Sequence, residues 1–173
     1  NAELFIDNRN VLQVLINQKI PVARLITISG KSFYMDDAME LLPLSDRLSA
    51  KLPVFTSCPF EPGSLKKNDS LLLNEIKLLS HYIIKHPFWM AQIDQVDITP
   101  DYSFEMIPKF GRQIIRFGSA QSYEEKFNNL LAFYKSVQTK VSWNRYSVID
   151  VQFKNQVVGI KRDAAEIRSD SLK

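Results

Sequence analysis

The run from Tyr146 to Arg162 constrains this chain most. Ile149, Val151 and Phe153 alternate there with Asp150, Gln152 and Lys154, and after a short turn the chain returns through Val157 to Lys161. The alternation predicts a strand with one buried and one wet face, and the turn predicts a second strand beside it. A strongly amphipathic stretch precedes the pair, and from Asp163 to Lys173 a polar tail with little to bury follows it. The last strand before such a tail lies naturally at a sheet edge, with unpaired N–H and C=O groups.

The amphipathic stretch reads as a helix. Ser122 and Glu125 have capping-box spacing, and Phe127, Leu130, Leu131, Tyr134 and Val137 line one face. A second helix is predicted from Leu72, Ile76, Leu79 and Ile83, capped by Asn68, Asp69 or Ser70 and ending before Pro87. Around these helices the β-formers come in short runs. Leu4 to Ile6 and Val11 to Asn17 flank the turn residues Asp7 to Asn10 and predict a hairpin. Val22 to Ser29 and Phe33 to Met35 turn about Gly30 and end at Asp36 and Asp37, extending a meander. Gln92 to Thr99, Ser103 to Ile107 and Gln113 to Phe117 predict three antiparallel strands. From Leu52 to Ser70, Pro53, Pro59, Pro62 and Gly63 predict a surface loop. The fold class is α+β, an antiparallel sheet with two amphipathic helices packed on it.

Composition excludes several functions. With 173 residues, 45% of them hydrophobic, the chain can bury a real core. Its 22 basic and 19 acidic side chains are interspersed, and the net charge of +3 does not favour nucleic acid. Cys58 is a lone cysteine, so no internal disulfide forms. No run of about 18 apolar residues could span a membrane. A start at Asn1 is expected of a trimmed or processed chain whose targeting segment lies elsewhere. His81 and His86 are five apart and fall on different helix faces, so no helical metal pair is expected. A catalytic Cys58 would need an adjacent histidine, and the bland reading is a structural thiol. Asp36 and Asp37 read as a strand end, and Asp94, Asp97 and Asp101 as solvated carboxylates. The five glycines are too dispersed for a phosphate cradle. Phe88, Trp89 and the aromatics from Trp143 to Tyr146 read as packing residues. No catalytic residue, cofactor or metal is expected.

Several segments in order resemble the bacterial cell-division family FtsQ, also called DivIB. They are Gln18 to Arg24 with Pro21 at the centre, Phe33 to Asp37, Leu52 to Thr56, and Tyr146 to Gly159, within which Val148 to Phe153 is similar to the family's closing hairpin. The likeness covers about residues 11 to 162. It implies the extracytoplasmic part of an inner-membrane protein at the division septum. Residues 1–23 would be the C-terminal strands of a POTRA-like domain, 24–162 a β domain with its helices on a curved antiparallel sheet, and 163–173 a disordered tail. Such a protein performs no chemistry. It recruits FtsB-like and FtsL-like partners on the periplasmic side, FtsB adding a strand to the C-terminal part of the β domain, while a membrane helix absent from this chain anchors the parent. Carried over by position, Phe153 is the aromatic before the turn, Lys154, Asn155 and Gln156 the turn, and Val157, Val158, Gly159, Ile160 and Lys161 the partner-facing strand. With Gln152 these are the candidate contacts. The chain departs from the family at Ala38 to Glu40 and at Asn155 and Gln156, where glycine is frequent; asparagine adopts positive φ readily enough to keep the second turn. Two rival readings are a POTRA-like component of another envelope assembly or transport machine, and a small hydrolase or ligand-binding protein that uses Cys58.

Overall fold

The computed structural model describes residues 2–6, 11–16, 18–44, 51–138 and 145–162. The turn residues Asp7 to Asn10, Trp143 and the tail from Asp163 lie outside the described residues. Strands β1 (Ala2–Ile6) and β2 (Leu12–Ile16) form the expected hairpin, Leu4 opposite Val14 and Ile6 opposite Leu12. A second sheet holds β3 (Pro21–Thr27), β4 (Ser32–Asp36), β5 (Leu41–Pro43), β6 (Val54–Cys58), β7 (Ile93–Ile98), β8 (Phe104–Pro108), β9 (Ile114–Gly118), β10 (Tyr146–Asp150) and β11 (Val158–Lys161). Among the described residues three helices complete the fold: α1 (Lys67–Lys85), α2 (Pro87–Gln92) and α3 (Tyr123–Gln138).

The strand order is β11-β10-β9-β8-β7-β6-β3-β4-β5. The architecture is α+β, and the sheet is mostly antiparallel: five of its pairings are antiparallel, while β3–β6, β6–β7 and β9–β10 are parallel. One row of directly opposed residues crosses every strand, running Pro43, Phe33, Leu25, Phe55, Val96, Met106, Ile115, Ile149 and Gly159. From Phe33 to Ile149 that row is buried, and the side chains that close over it are Leu72, Ile76, Leu79 and Ile83 of α1, Trp89 of α2, and Phe127, Leu130 and Tyr134 of α3. The alternate row, Thr56, Asp97, Glu105, Arg116, Asp150 and Val158, faces away from the helices and is polar except at its last member. Alternation along each strand thus puts all three helices on one face.

The punctuated segment 52–70 is not all loop, because Val54–Cys58 is the central strand β6, parallel to both β3 and β7. Pro53 sits just before its first residue, where no ladder N–H is lost, and its carbonyl accepts from Arg24 N–H at 3.0 Å. Residues 87–92 form helix α2, with Pro87 in the first position, so the expected strand from Gln92 begins only at Ile93. Helix α1 begins one turn early: Lys66 is its N-cap, and Asp69 Oδ2 reaches back to accept Lys66 N–H at 2.7 Å. At α3, Ser122 has φ 53°, which is not the extended conformation of a capping box, and it is its carbonyl that accepts from Lys126 N–H. Strand β3 starts at Pro21, with Val22 and Ala23 in the main core, so residue 23 falls inside a strand. Asp97 is half-buried and accepts the hydroxyls of Thr56 at 2.6 Å and Ser57 at 2.7 Å, tying β7 to β6.

Candidate functional site

Among the described residues the nine-stranded sheet ends in β5 on one side and β11 on the other. Strand β5 has three residues and finishes at Pro43, whose missing N–H blunts that edge. Strand β11 has four residues, Val158, Gly159, Ile160 and Lys161, and no proline.

Core burial, the packed turn and two long basic side chains hold this edge. Burial of Ile149 and Val151 anchors β10, and Val151 N–H donates to Arg116 O of β9 at 3.0 Å. The turn then packs back on the sheet. Gly118, at φ 71°, lies so close to Gln152 that a Cβ there would meet the Gln152 side chain at 2.9 Å. Lys126 Nζ reaches from α3 to donate to Phe117 O at 3.1 Å and Ser119 O at 2.9 Å, pinning the corner around Gly118, and burial holds its ammonium pKa below the ordinary lysine value. At the far end of β11, Arg162 donates from its backbone to Arg145 O at 2.9 Å and from its guanidinium to Tyr146 O and Arg112 O. The edge strand is therefore tied at its C-terminal end to Arg112, a part of the chain it does not pair with, while the turn that leads into it packs on Gly118.

Gly159 has no room for a side chain. A Cβ there would stand 2.6 Å from Tyr146, whose ring lies against it and meets Phe133 of α3 edge-on at 5.4 Å. Gly159→Val should therefore push Tyr146 off Phe133 and cost about 1–3 kcal/mol of stability, the range for overpacking. Denaturant unfolding checks it, and a loss under about 0.5 kcal/mol would show that the ring moves freely. A glycine inside a strand pattern was the sequence signal for this close approach; nothing in the sequence signalled the Arg162 brace.

The candidate contacts divide into two groups. Val158 to Lys161 form the edge strand, with Val157 half-buried beside it. Gln152, Phe153 and Asn155 lie in the turn. Phe153 does not continue the buried alternation: β10 ends at Asp150, the backbone bends, and the ring is 54% exposed. Asn155 takes φ 57°, as the turn reading requires. At the other departure point Met39 carries φ 62°, its N–H donating to Asp36 O at 3.0 Å while Asp36 Oδ1 accepts from Glu40 N–H at 2.8 Å.

The chemical candidates are engaged elsewhere. Cys58 is buried at the end of β6, and burial pushes its thiol pKa up to about 12. His81 Nε2 stands 2.6 Å from Asp37 Oδ1, and that contact, with Lys77, lowers the pKa of the Asp37 carboxyl. His86 stacks on Tyr82, with Nδ1 2.7 Å from the Tyr82 carbonyl oxygen. A thiol held protonated by burial is no nucleophile at neutral pH. Among the described residues no cluster of three or more His, Cys, Asp or Glu side chains could hold a metal ion, and no helix is long and apolar enough to cross a membrane. Phe88 remains 42% exposed, whereas Trp89 is buried against Phe127 and Tyr134.

Comparison with known proteins bears on this edge. The family described as FtsQ/DivIB, C-terminal related, matches residues 20–160, which takes in β3 to β10 and all but the last residue of β11. No curated protein matches the chain.

Proposed function

The chain belongs to the FtsQ/DivIB C-terminal related family, and from that premise we propose that it is a scaffold to which an FtsB-like partner adds a strand along β11. The family is non-enzymatic and works in cell division, in association with the septum. In this reading the residues before Pro21 end a POTRA-like unit, β3 onward to residue 162 is the β domain, because Val22 and Ala23 belong to its core, and 163–173 are a tail. The domain works on the periplasmic side of the inner membrane, held there by a membrane helix of the parent protein, and FtsB-like and FtsL-like proteins are its partners. Gln152, Phe153, Asn155 and Val157 to Lys161 make the contact.

The observation that carries the reading is the contrast between the two edges: β5 is closed by Pro43, while β11 is proline-free and anchored at its C-terminal end through Arg162. A rigid edge loses little conformational entropy when main-chain hydrogen bonds form along it, which is what strand addition needs.

Pull-down with the periplasmic FtsB-like and FtsL-like segments of the same organism tests it. Successive N–H groups along a strand point to opposite sides, so of Val158→Pro and Lys161→Pro one removes a donor aimed at β10 and the other a donor aimed outward. The domain should capture a partner, and the proline variant that keeps its melting transition should lose capture. Full capture by both variants in folded form places the contact elsewhere. No capture by the parent domain overturns the scaffold reading of this segment.

A further inference from the structure

We infer that the strand received by β11 carries apolar side chains at two alternate positions, i and i+2, both on the face of the sheet away from the helices. This rests on the edge-strand reading above and specifies the chemistry of its partner.

Directly opposed residues in a sheet share a face. Ile115, Ile149 and Gly159 belong to the row beneath the helices, so their neighbours Ile114, Val148 and Ile160, which oppose one another in turn, face the other way. Ile114 is 40% and Ile160 46% exposed, with Val148 half-buried between them. Val158 shares that face at the end of the row formed by Glu105, Arg116 and Asp150. The side chains of this outer face are thus charged toward the sheet centre and apolar at the edge, the reverse of the charged edges that keep sheets from pairing. Single exposed apolar residues are ordinary, but here exposed Ile114 and Ile160 are joined through half-buried Val148 and flanked by half-buried Val158, a strip that ends at the outermost strand of the described sheet.

An added strand places its own side chains beside Val158 and Ile160 at strand spacing, and apolar ones there extend the strip and cover it. On the helix side Gly159 presents no side chain of its own, and the Tyr146 ring takes the space its Cβ would occupy, so a neighbouring residue finds no side chain there to pair with. The middle residue of the partner is therefore the less demanding one, and the pattern is apolar, any, apolar. An extended segment fits better than a helix, because the strip stops where free main-chain groups begin.

Two labelled ten-residue synthetic peptides test this, identical except for a central Val-Thr-Val in one and Thr-Thr-Thr in the other, titrated by fluorescence anisotropy. Val and Thr match in shape and strand preference, so the difference isolates the apolar contact. The parent domain should bind the Val peptide roughly three- to tenfold tighter, and the double variant Ile114→Thr with Ile160→Thr should lose that ratio. Equal affinities, or a ratio that survives in the double variant, overturn the inference while leaving strand addition standing. No binding of the Val peptide also overturns it, and capture of the periplasmic segments then still upholds the edge reading. Peptide binding unaffected in both folded proline variants overturns the edge reading itself.

Discussion

Phe127→Ala should cost about 3–5 kcal/mol of stability, the range for truncating a fully buried aromatic. Phe127 has no exposed surface and is where the layers meet. Its ring stacks on Tyr82 of α1 at 4.5 Å, meets Phe117 of β9 at 4.8 Å and Trp89 of α2 at 5.0 Å. Three elements would lose contacts at once, and they cannot all move inward, because each is also held to the sheet. Against a typical total of about 5–15 kcal/mol, such a loss leaves a marginal protein. Urea unfolding followed by tryptophan fluorescence measures it, with the midpoint falling and the slope unchanged. Phe88→Ala is the control, its ring being 42% exposed, and should stay within about 1 kcal/mol. If the two variants lose equal stability, the cluster around Phe127 does not organise the core.

The second large effect is alkaline. Burial lifts the Cys58 thiol from 9.0 to about 12, so the folded protein keeps a proton that the unfolded chain releases in that interval. The sign follows directly. Stability from the neutral thiol is fully present below pH 9 and is lost as pH climbs toward about 12, at up to about 1.4 kcal/mol per pH unit. Cys58→Ala should flatten this part of the stability profile, although it lowers stability at pH 7 by opening a cavity. Below the transition, a thiol reagent at pH 8 should label native Cys58 on the order of a thousandfold more slowly than unfolded chain, in step with the thiolate fraction. Rapid native labelling would show a thiol that burial does not protect.

The site was legible in part. The alternation through Ile149 and Val151 marks β10, and the return from Val157 marks β11, because each pattern is written in neighbouring residues. Phe153 does not follow Ile149 and Val151 inward: the strand ends at Asp150, and in the bend that carries Asn155 at φ 57° the ring is exposed. Whether β11 is an edge depends on strand order across the whole sheet, which no local period encodes. The outer apolar strip likewise exists only when Ile114 lies beside Val148, a parallel pairing between residues more than thirty positions apart.

The same division holds for the fold. Helices α1 and α3 could be read from spacing alone, since a stripe of apolar residues every three or four positions can be buried only by a helix lying on a surface. The hairpins and the antiparallel run β7 to β9 could be read because turn residues separate short alternating runs. Strand β6 could not. Residues 54–58 are few, lie among prolines and lack strict alternation, and they become the middle of the sheet because Phe55 fits between Leu25 and Val96. Local chemistry thus settled helices α1 and α3 and the hairpins, through dihedral preference and the period of apolar side chains, but not the short helix α2. The mixed strand order, and with it the free edge at β11, came from burying one continuous row of large side chains beneath three helices, an energy that exists only between residues distant in the chain.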